Sequence, residues 1–143
     1  NAGRERNVLL FISAIIKKYA AFSSWRANIK SEEIDNACKF LKKNFHKKIL
    51  LDEICKLSNT SKSTLLRLFT DKKYITPHKY LESVRLIKAK QLLANGYFPI
   101  DVANKTGFAD QSHFTNRFNA IYGITPTAYQ KMLKARIINN EKE

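Results

Sequence analysis

The chain has 143 residues, with 26 Lys and Arg against 12 Asp and Glu and a net charge of +14. Four glycines and three prolines are too few for a turn-rich all-β design, so helices are expected, in one domain or two small ones. Cys38 and Cys55 form neither a disulfide framework nor a metal spacing, and the excess positive charge points to a polyanion, either nucleic acid or an acidic surface.

The chain starts at Asn1-Ala2 without Met, as a fragment would. Residues 7–22 read as a helix in which Val8, Ile12, Ile15, Tyr19 and Phe22 follow a 4-3-4-3, coiled-coil-like spacing. Leu9, Leu10, Phe11 and Ile16 make it too apolar for a lone seam, which favours burial against further protein close to a dimer contact. Its run Val8–Ile16 is too short to span a bilayer. Residues 21–30, AFSSWRANIK, read as a linker. Ser31 is expected to cap the next helix, with Ile34, Ala37, Cys38, Leu41 and Phe45 as its core stripe.

From there the elements come in pairs. LDEICKLS and IDVANKTG read as short helices with acids in their first turns. Asn59 and Gly107 suit left-handed turns after them. Ser61 then caps KSTLLRLF, with Leu65, Leu68 and Phe69 on one face. Asp110 caps QSHFTNRFNAI, with Phe114, Phe118 and Ile121 on one face. Thr76-Pro77 and Thr125-Pro126 each start a further helix. The first of these carries Tyr80, Leu81, Val84, Ile87 and Leu92 at helical spacing and ends near Gly96. The phrases ITPHKY and ITPTAY lie 49 residues apart. At the same offset Asp52/Asp101, Lys56/Lys105, Ser63/Ser112 and Phe69/Phe118 coincide, while Leu51/Ile100 and Leu65/Phe114 are alike in kind. The pattern is that of a duplicated scaffold with two different surfaces.

Helix, tight turn, helix is the shape that sets a second helix in the DNA major groove. The outer side of the first such helix offers Lys62, Ser63, Thr64, Leu66 and Arg67. The second offers Gln111, Ser112, His113, Thr115, Asn116 and Arg117. Arg grips guanine with two hydrogen bonds, and Gln and Asn do the same for adenine. Arg67 is therefore a base-reading candidate, with a phosphate clamp as the alternative, and Gln111 and Asn116 are base-reading candidates. Ser61, Lys62, Thr64, His113, Thr115 and Arg117 are the expected phosphate contacts. Phe69, Phe118, Tyr80, Tyr129, Phe108 and Gly107 are expected to be structural. No carboxylate pair, Ser/His/Asp set or cysteine cluster recurs at useful spacing, so no enzyme, cofactor or metal site is expected.

The stretch RLIKAKQLLANGYFPIDVANKTGFADQSHFTNRFNAIYGITPTAYQK, Arg85–Lys131, resembles the DNA-binding domain of the AraC/XylS family of transcription regulators. Ala103, Gly107, Phe108, Phe114, Phe118, Gly123, Pro126 and Tyr129 carry the resemblance, which extends back to about Glu32. It implies an all-α fold of seven helices with two helix-turn-helix units, at about 51–72 and 99–122, joined by a long helix at about 77–94, within a domain spanning 31–138. It further implies that Ser63, Leu66 and Arg67 in one unit and Gln111, Ser112 and Asn116 in the other face the bases, and that Arg85 is structural. Leu66 departs from the polar residue often found there, and touches a thymine methyl or nothing. Residues 1–30 would be the last helix and linker of an absent sensing and dimerising domain. The implied partners are operator or promoter double-stranded DNA, with RNA polymerase a candidate further partner, a dimer made through the N-terminal region, no membrane, and a place in the bacterial cytoplasm at the nucleoid. The rival readings are a non-specific DNA-compacting or anionic-surface-binding protein, supported by charge alone, and the DNA-binding module of a repair enzyme.

Overall fold

The computed structural model describes residues 2–140, with the side chains of 13–21 and 31–137. Among these residues there are seven helices and no strand: α1 (Ala2–Lys43), α2 (Leu51–Leu57), α3 (Lys62–Lys73), α4 (Pro77–Ala94), α5 (Pro99–Lys105), α6 (Gln111–Tyr122) and α7 (Pro126–Asn140). The all-α expectation holds, and the element boundaries follow from local chemistry. Ser61 Oγ accepts from the Thr64 amide, Asp110 Oδ1 from His113, Thr76 Oγ1 from Lys79 and Thr125 Oγ1 from Ala128. Each satisfies an amide that the first turn of a helix leaves unpaired. Pro77 and Pro126 stand at helix starts, where the missing N–H costs nothing.

The linker expected at 21–30 is helical instead, and α1 runs unbroken through it. No Gly or Pro occurs in that stretch to stop a helix. Ser31 is consequently interior to α1 and caps nothing. In the seam, Ile15 and Tyr19 are exposed, as is their neighbour Ile16. The side chains of Val8, Leu9, Leu10, Phe11, Ile12 and Phe22 lie outside the described residues.

Two cores form. The first gathers Ile34, Ala37, Cys38 and Leu41 of α1, Ile54 of α2, Leu65 and Phe69 of α3, and Leu81 of α4. The second gathers Leu86, Ala89 and Leu93 of α4, Val102 and Ala103 of α5, and Phe108, Phe114 and Phe118, with Tyr129 of α7 against it. Helix α4 is therefore shared: its N-terminal half closes the first unit and its C-terminal half opens the second. The α1 stripe Ile34, Ala37, Leu41 recurs in α4 as Leu86, Ala89, Leu93, an offset of 52 residues. The duplication thus reaches back into α1, beyond the identities visible in the sequence.

The offset also changes along the repeat. It is 49 from the caps Ser61 and Asp110 onward, but 48 in the preceding helices, where buried Ile54 matches Val102. Buried Ser58 matches Thr106, and each hydroxyl donates to the carbonyl four residues back. The second turn is one residue longer, so the coincidences Asp52/Asp101 and Lys56/Lys105 do not mark equivalent places, and Leu51 matches Pro99 rather than Ile100. The corrected register pairs Asn59, φ 46°, with Gly107, φ 79°.

Gly107 has a second reason to be glycine. A Cβ there would lie 2.7 Å from the Phe45 carbonyl oxygen and 3.0 Å from Arg85 Nη2. Arg85 donates to the Phe45 and Lys47 carbonyls, at 2.8 and 3.0 Å. The loop after α1 is thereby tied to α4 and to the turn of the second unit, the structural role expected of Arg85. At the far end of α4, Gln130 of α7 donates to the carbonyls of Leu93 and Tyr97 and so ties α7 to the last turn of α4 and the loop after it.

Two apolar assignments fail. Ile87 and Ile121, expected in core stripes, are 55% and 61% exposed. Helix α4 serves two cores in succession, and Leu86 and Leu93 take the inward positions in its second half.

Candidate nucleic-acid interface

Helices α3 and α6 each bury one phenylalanine-bearing stripe and present the opposite face. On α3, Leu65 and Phe69 point inward, while Ser61, Lys62, Ser63, Leu66 and Arg67 are exposed and Thr64 is half-buried. On α6, Phe114 and Phe118 point inward, while Gln111, Ser112, His113 and Asn116 are exposed and Thr115 and Arg117 are half-buried. Helical spacing of 3.6 residues aligns Ser63 with Arg67 and Ser112 with Asn116, four apart on one face. Each unit thus presents a serine followed one turn later by a longer polar side chain. The side chains of Arg67, Gln111, Ser112 and Asn116 have no hydrogen-bonding or charged partner among the described residues.

Most of the other polar candidates are already engaged. Lys62 pairs with Asp52 at 2.9 Å, both largely exposed, and this contact pushes the lysine pKa up and keeps it charged. Exposed pairs of this kind are weak, so the ammonium is easily given up to a stronger anion. Ser61 Oγ donates to Thr64 Oγ1 and lies 3.2 Å from Ser63 Oγ, which links three hydroxyls at the start of α3. The His113 ring stands edge-on to Phe108, with centroids 5.5 Å apart. Arg117 is turned inward: its Nε–H donates to a carboxylate oxygen of buried Glu82 on α4. Burial alone would push the Glu82 pKa up, but the Arg117 hydrogen bond and charge, with Lys79 at 3.6 Å, hold it below the ordinary value.

Two ties to α3 and α6 were missed in the sequence. Lys72, at the end of α3, donates to the Ser31 carbonyl and hydroxyl and to Asp35, at 2.5–2.8 Å, and Lys73 reaches Asp35 at 3.5 Å. The Lys72 hydrogen bond holds the Asp35 carboxyl below its usual pKa. These lysines fasten α3 to α1. The other tie is Glu82 to Arg117. Its only sequence signal is that Glu82 is the sole acid between Asp71 and Asp101.

The two outward faces therefore differ in charge. The α3 face carries Arg67 and Lys62, whereas the α6 face carries amides and hydroxyls, its one arginine being turned toward α4. Cys38 is buried and Cys55 half-buried, both as free thiols. Burial raises the Cys38 thiol pKa and leaves it a poor nucleophile. Among the described residues there is no group of three metal-ligating side chains, and no helix is long and apolar enough to cross a membrane.

Comparison with known proteins agrees with this geometry. Residues 54–132, more than half of the chain, match a helix-turn-helix domain family of the AraC/XylS type. The uncharacterized HTH-type transcriptional regulator YbfI of Bacillus subtilis is 45% identical over 83 residues, 58% of this chain and 30% of that protein. The probable transcriptional regulator LumQ of Photobacterium leiognathi is 36% identical over 102 residues, 71% of this chain and 40% of that protein. This chain thus spans less than half the length of either relative. In fold it is similar to the DNA-binding domain of the transcriptional factor AdpA, solved in complex with a target DNA, with a TM-score of 0.69 and 22% identity over 72% of this chain and 94% of that one. The chain belongs to the AraC/XylS-type family of helix-turn-helix transcription regulators, which are DNA-binding proteins and not enzymes.

Proposed function

We propose that residues 31–138 read a specific double-stranded DNA site with two helices in successive major-groove segments. The observation that carries this reading is the matched pair of capped helices with outward serine-to-Arg67 and serine-to-Asn116 faces, joined through one stiff helix. Helix α4 has 18 residues, a length of about 27 Å at about 1.5 Å per residue. Successive groove segments on one side of a duplex lie about 34 Å apart, and bending of the DNA can absorb the difference. Ser63, Leu66 and Arg67 read one segment, and Gln111, Ser112 and Asn116 the other. Ser61, Lys62, Thr64, His113 and Thr115 hold phosphates. Arg117 leaves that set, because Glu82 already engages it.

The duplicated reader engages two groove segments from one chain, so dimer symmetry is not needed for an extended site. Residues 1–30 are the end of a sensing and dimerising domain, and the exposed Ile15, Ile16 and Tyr19 are where α1 meets further protein. Regulation acts on RNA polymerase at a promoter, in the bacterial cytoplasm at the nucleoid. The test is selection of bound duplexes from a random pool, followed by salt titration on the selected site. A preferred site of two blocks about one helical turn apart is expected, with an affinity that falls steeply as salt rises. A pool that emerges without preference, bound equally well throughout, would favour the rival of charge-driven DNA compaction.

A further inference from the structure

We propose that Arg117 is a positioning residue rather than a phosphate contact: its ion pair with Glu82 fixes α6 against α4 and so sets the angle at which Asn116 enters the groove. The inference rests on the two-helix DNA reading and adds a specificity-setting pair to it.

Several observations converge on this pair. Helix α6 packs mainly against α5 and α7, whereas its counterpart α3 packs directly on α1. Between α4 and α6 lies an open groove of about 300 Å³, with Leu86, Ile87 and Ile121 along it and Glu82 and Arg117 bridging it. The duplication shows what occupies the same place in the first unit. The 52-residue offset pairs Asp35 with Ile87, and the 49-residue offset pairs Lys72 with Ile121. Where the first unit has an ion pair joining its reading helix to its scaffold helix, the second has two exposed isoleucines. The second unit makes its tie elsewhere, at Arg117, whose counterpart in α3 is the half-buried Leu68.

The partners suit the task. The Glu82 side chain is only 10% exposed, and a carboxylate that sheltered is costly unless paired. Arg117 gives it a directed N–H donor as well as a charge, and such hydrogen bonds constrain orientation more tightly than a point charge does. No other acid lies between Asp71 and Asp101, and none follows Asp110 before Glu141. Arg117 thus has one carboxylate to reach on α4, and Glu82 is held on its other side by Lys79. Arg117 also directly follows Asn116, so a rotation of α6 that breaks the pair carries Asn116 with it. A swing of about 20–30° would take an amide out of two-bond register with a base edge, since hydrogen bonds weaken steeply when bent.

The experiment compares wild type, Asn116→Ala, Arg117→Met and the charge exchange Glu82→Arg with Arg117→Glu. Methionine keeps an aliphatic stem on the groove wall and removes the charge. Each is put through site selection and salt titration on the wild-type site. A positioning residue predicts that Arg117→Met relaxes the base pairs that Asn116→Ala relaxes, by about tenfold in preference, and leaves the salt slope unchanged. It predicts also that the charge exchange restores that preference. A phosphate contact predicts the opposite pattern: a slope reduced by about 0.9, preference intact, and an exchange variant worse than Arg117→Met. That pattern, or an exchange variant with relaxed preference, would overturn the inference and leave the two-helix reading standing. Wild type without sequence preference, or Asn116→Ala relaxing no base pair, would bring down the two-helix reading and the inference with it.

Discussion

Phe118→Ala removes the side chain that holds the second unit together. Its ring is 0% exposed and meets three other rings, those of Phe114, Tyr122 and Tyr129, at centroid distances of 5.6, 4.6 and 5.8 Å. These separations fall within the range in which aromatic pairs attract beyond simple burial. Truncating a buried phenylalanine typically costs about 3–5 kcal/mol, the higher values arising where the walls cannot close on the cavity. Here the walls belong to different elements: α6 supplies two rings, α7 a third, and α5 adds Val102 and Ala103. Collapse would require α7 to move while Gln130 still holds it to the end of α4. A loss in the upper half of that range, about 4–5 kcal/mol, is therefore expected. Phe69, its counterpart, meets one ring, Tyr80 at 5.5 Å, and Phe69→Ala should cost less, about 3–4 kcal/mol. Urea melts followed by far-ultraviolet circular dichroism measure both. A loss below about 1 kcal/mol for Phe118→Ala, or a larger loss for Phe69→Ala, would refute this account of the core.

Gly107→Ala should cost more than about 2 kcal/mol, because it combines a left-handed φ of 79° with a Cβ at 2.7 Å from the Phe45 carbonyl; a near-neutral melt would show that the loop yields freely. Tyr74, the left-handed C-cap of α3, is 87% exposed and matches Gly123 at the end of α6, so Tyr74→Gly should raise stability by about 1 kcal/mol in the same melts. The Glu82 carboxyl has a folded pKa below its ordinary 4.5, so its contribution is full above that value and is lost as pH falls through the lower folded one. Wild type should therefore lose its stability advantage over Glu82→Gln as melts are taken from neutral pH down through the carboxylate range, and an advantage independent of pH would contradict the pairing.

What the sequence made legible was short-range. The caps Ser61, Thr76, Asp110 and Thr125, the proline starts and the left-handed Asn59 and Gly107 depend on neighbours within four residues, and these stand where expected. The outward faces of α3 and α6 were legible because Phe69 and Phe118 fix the opposite side. What required the folded chain was long-range. Whether α1 continues through residues 21–30 is set by the absence of a breaker, a weak signal in a stretch without clear helical periodicity. That Ile87 and Ile121 face a groove depends on which elements cover α4 and α6, which periodicity along either helix does not reveal. The inward turn of Arg117 depends on Glu82, 35 residues away. The change of register from 48 to 49 was hidden because chance identities at Asp52/Asp101 and Lys56/Lys105 sustained the wrong offset past the turn. A single helix-turn-helix unit would have been read much the same way; the second copy, with its different charge, is what separates scaffold from surface.

The measurement that bears most directly on the central claim is site selection from random duplexes with wild type, Arg67→Ala and Asn116→Ala. Both side chains are exposed and lie one per unit on α3 and α6. Arg67→Ala should cost about 1–3 kcal/mol and relax preference in one block of the site. Asn116→Ala should relax a different block, about one helical turn away. With the two contacts that far apart, the losses in the double variant should add to within about 0.5 kcal/mol. Variants that relax the same base pairs, or that lose affinity without any change in the preferred sequence, would contradict a chain that reads two groove segments with two helices.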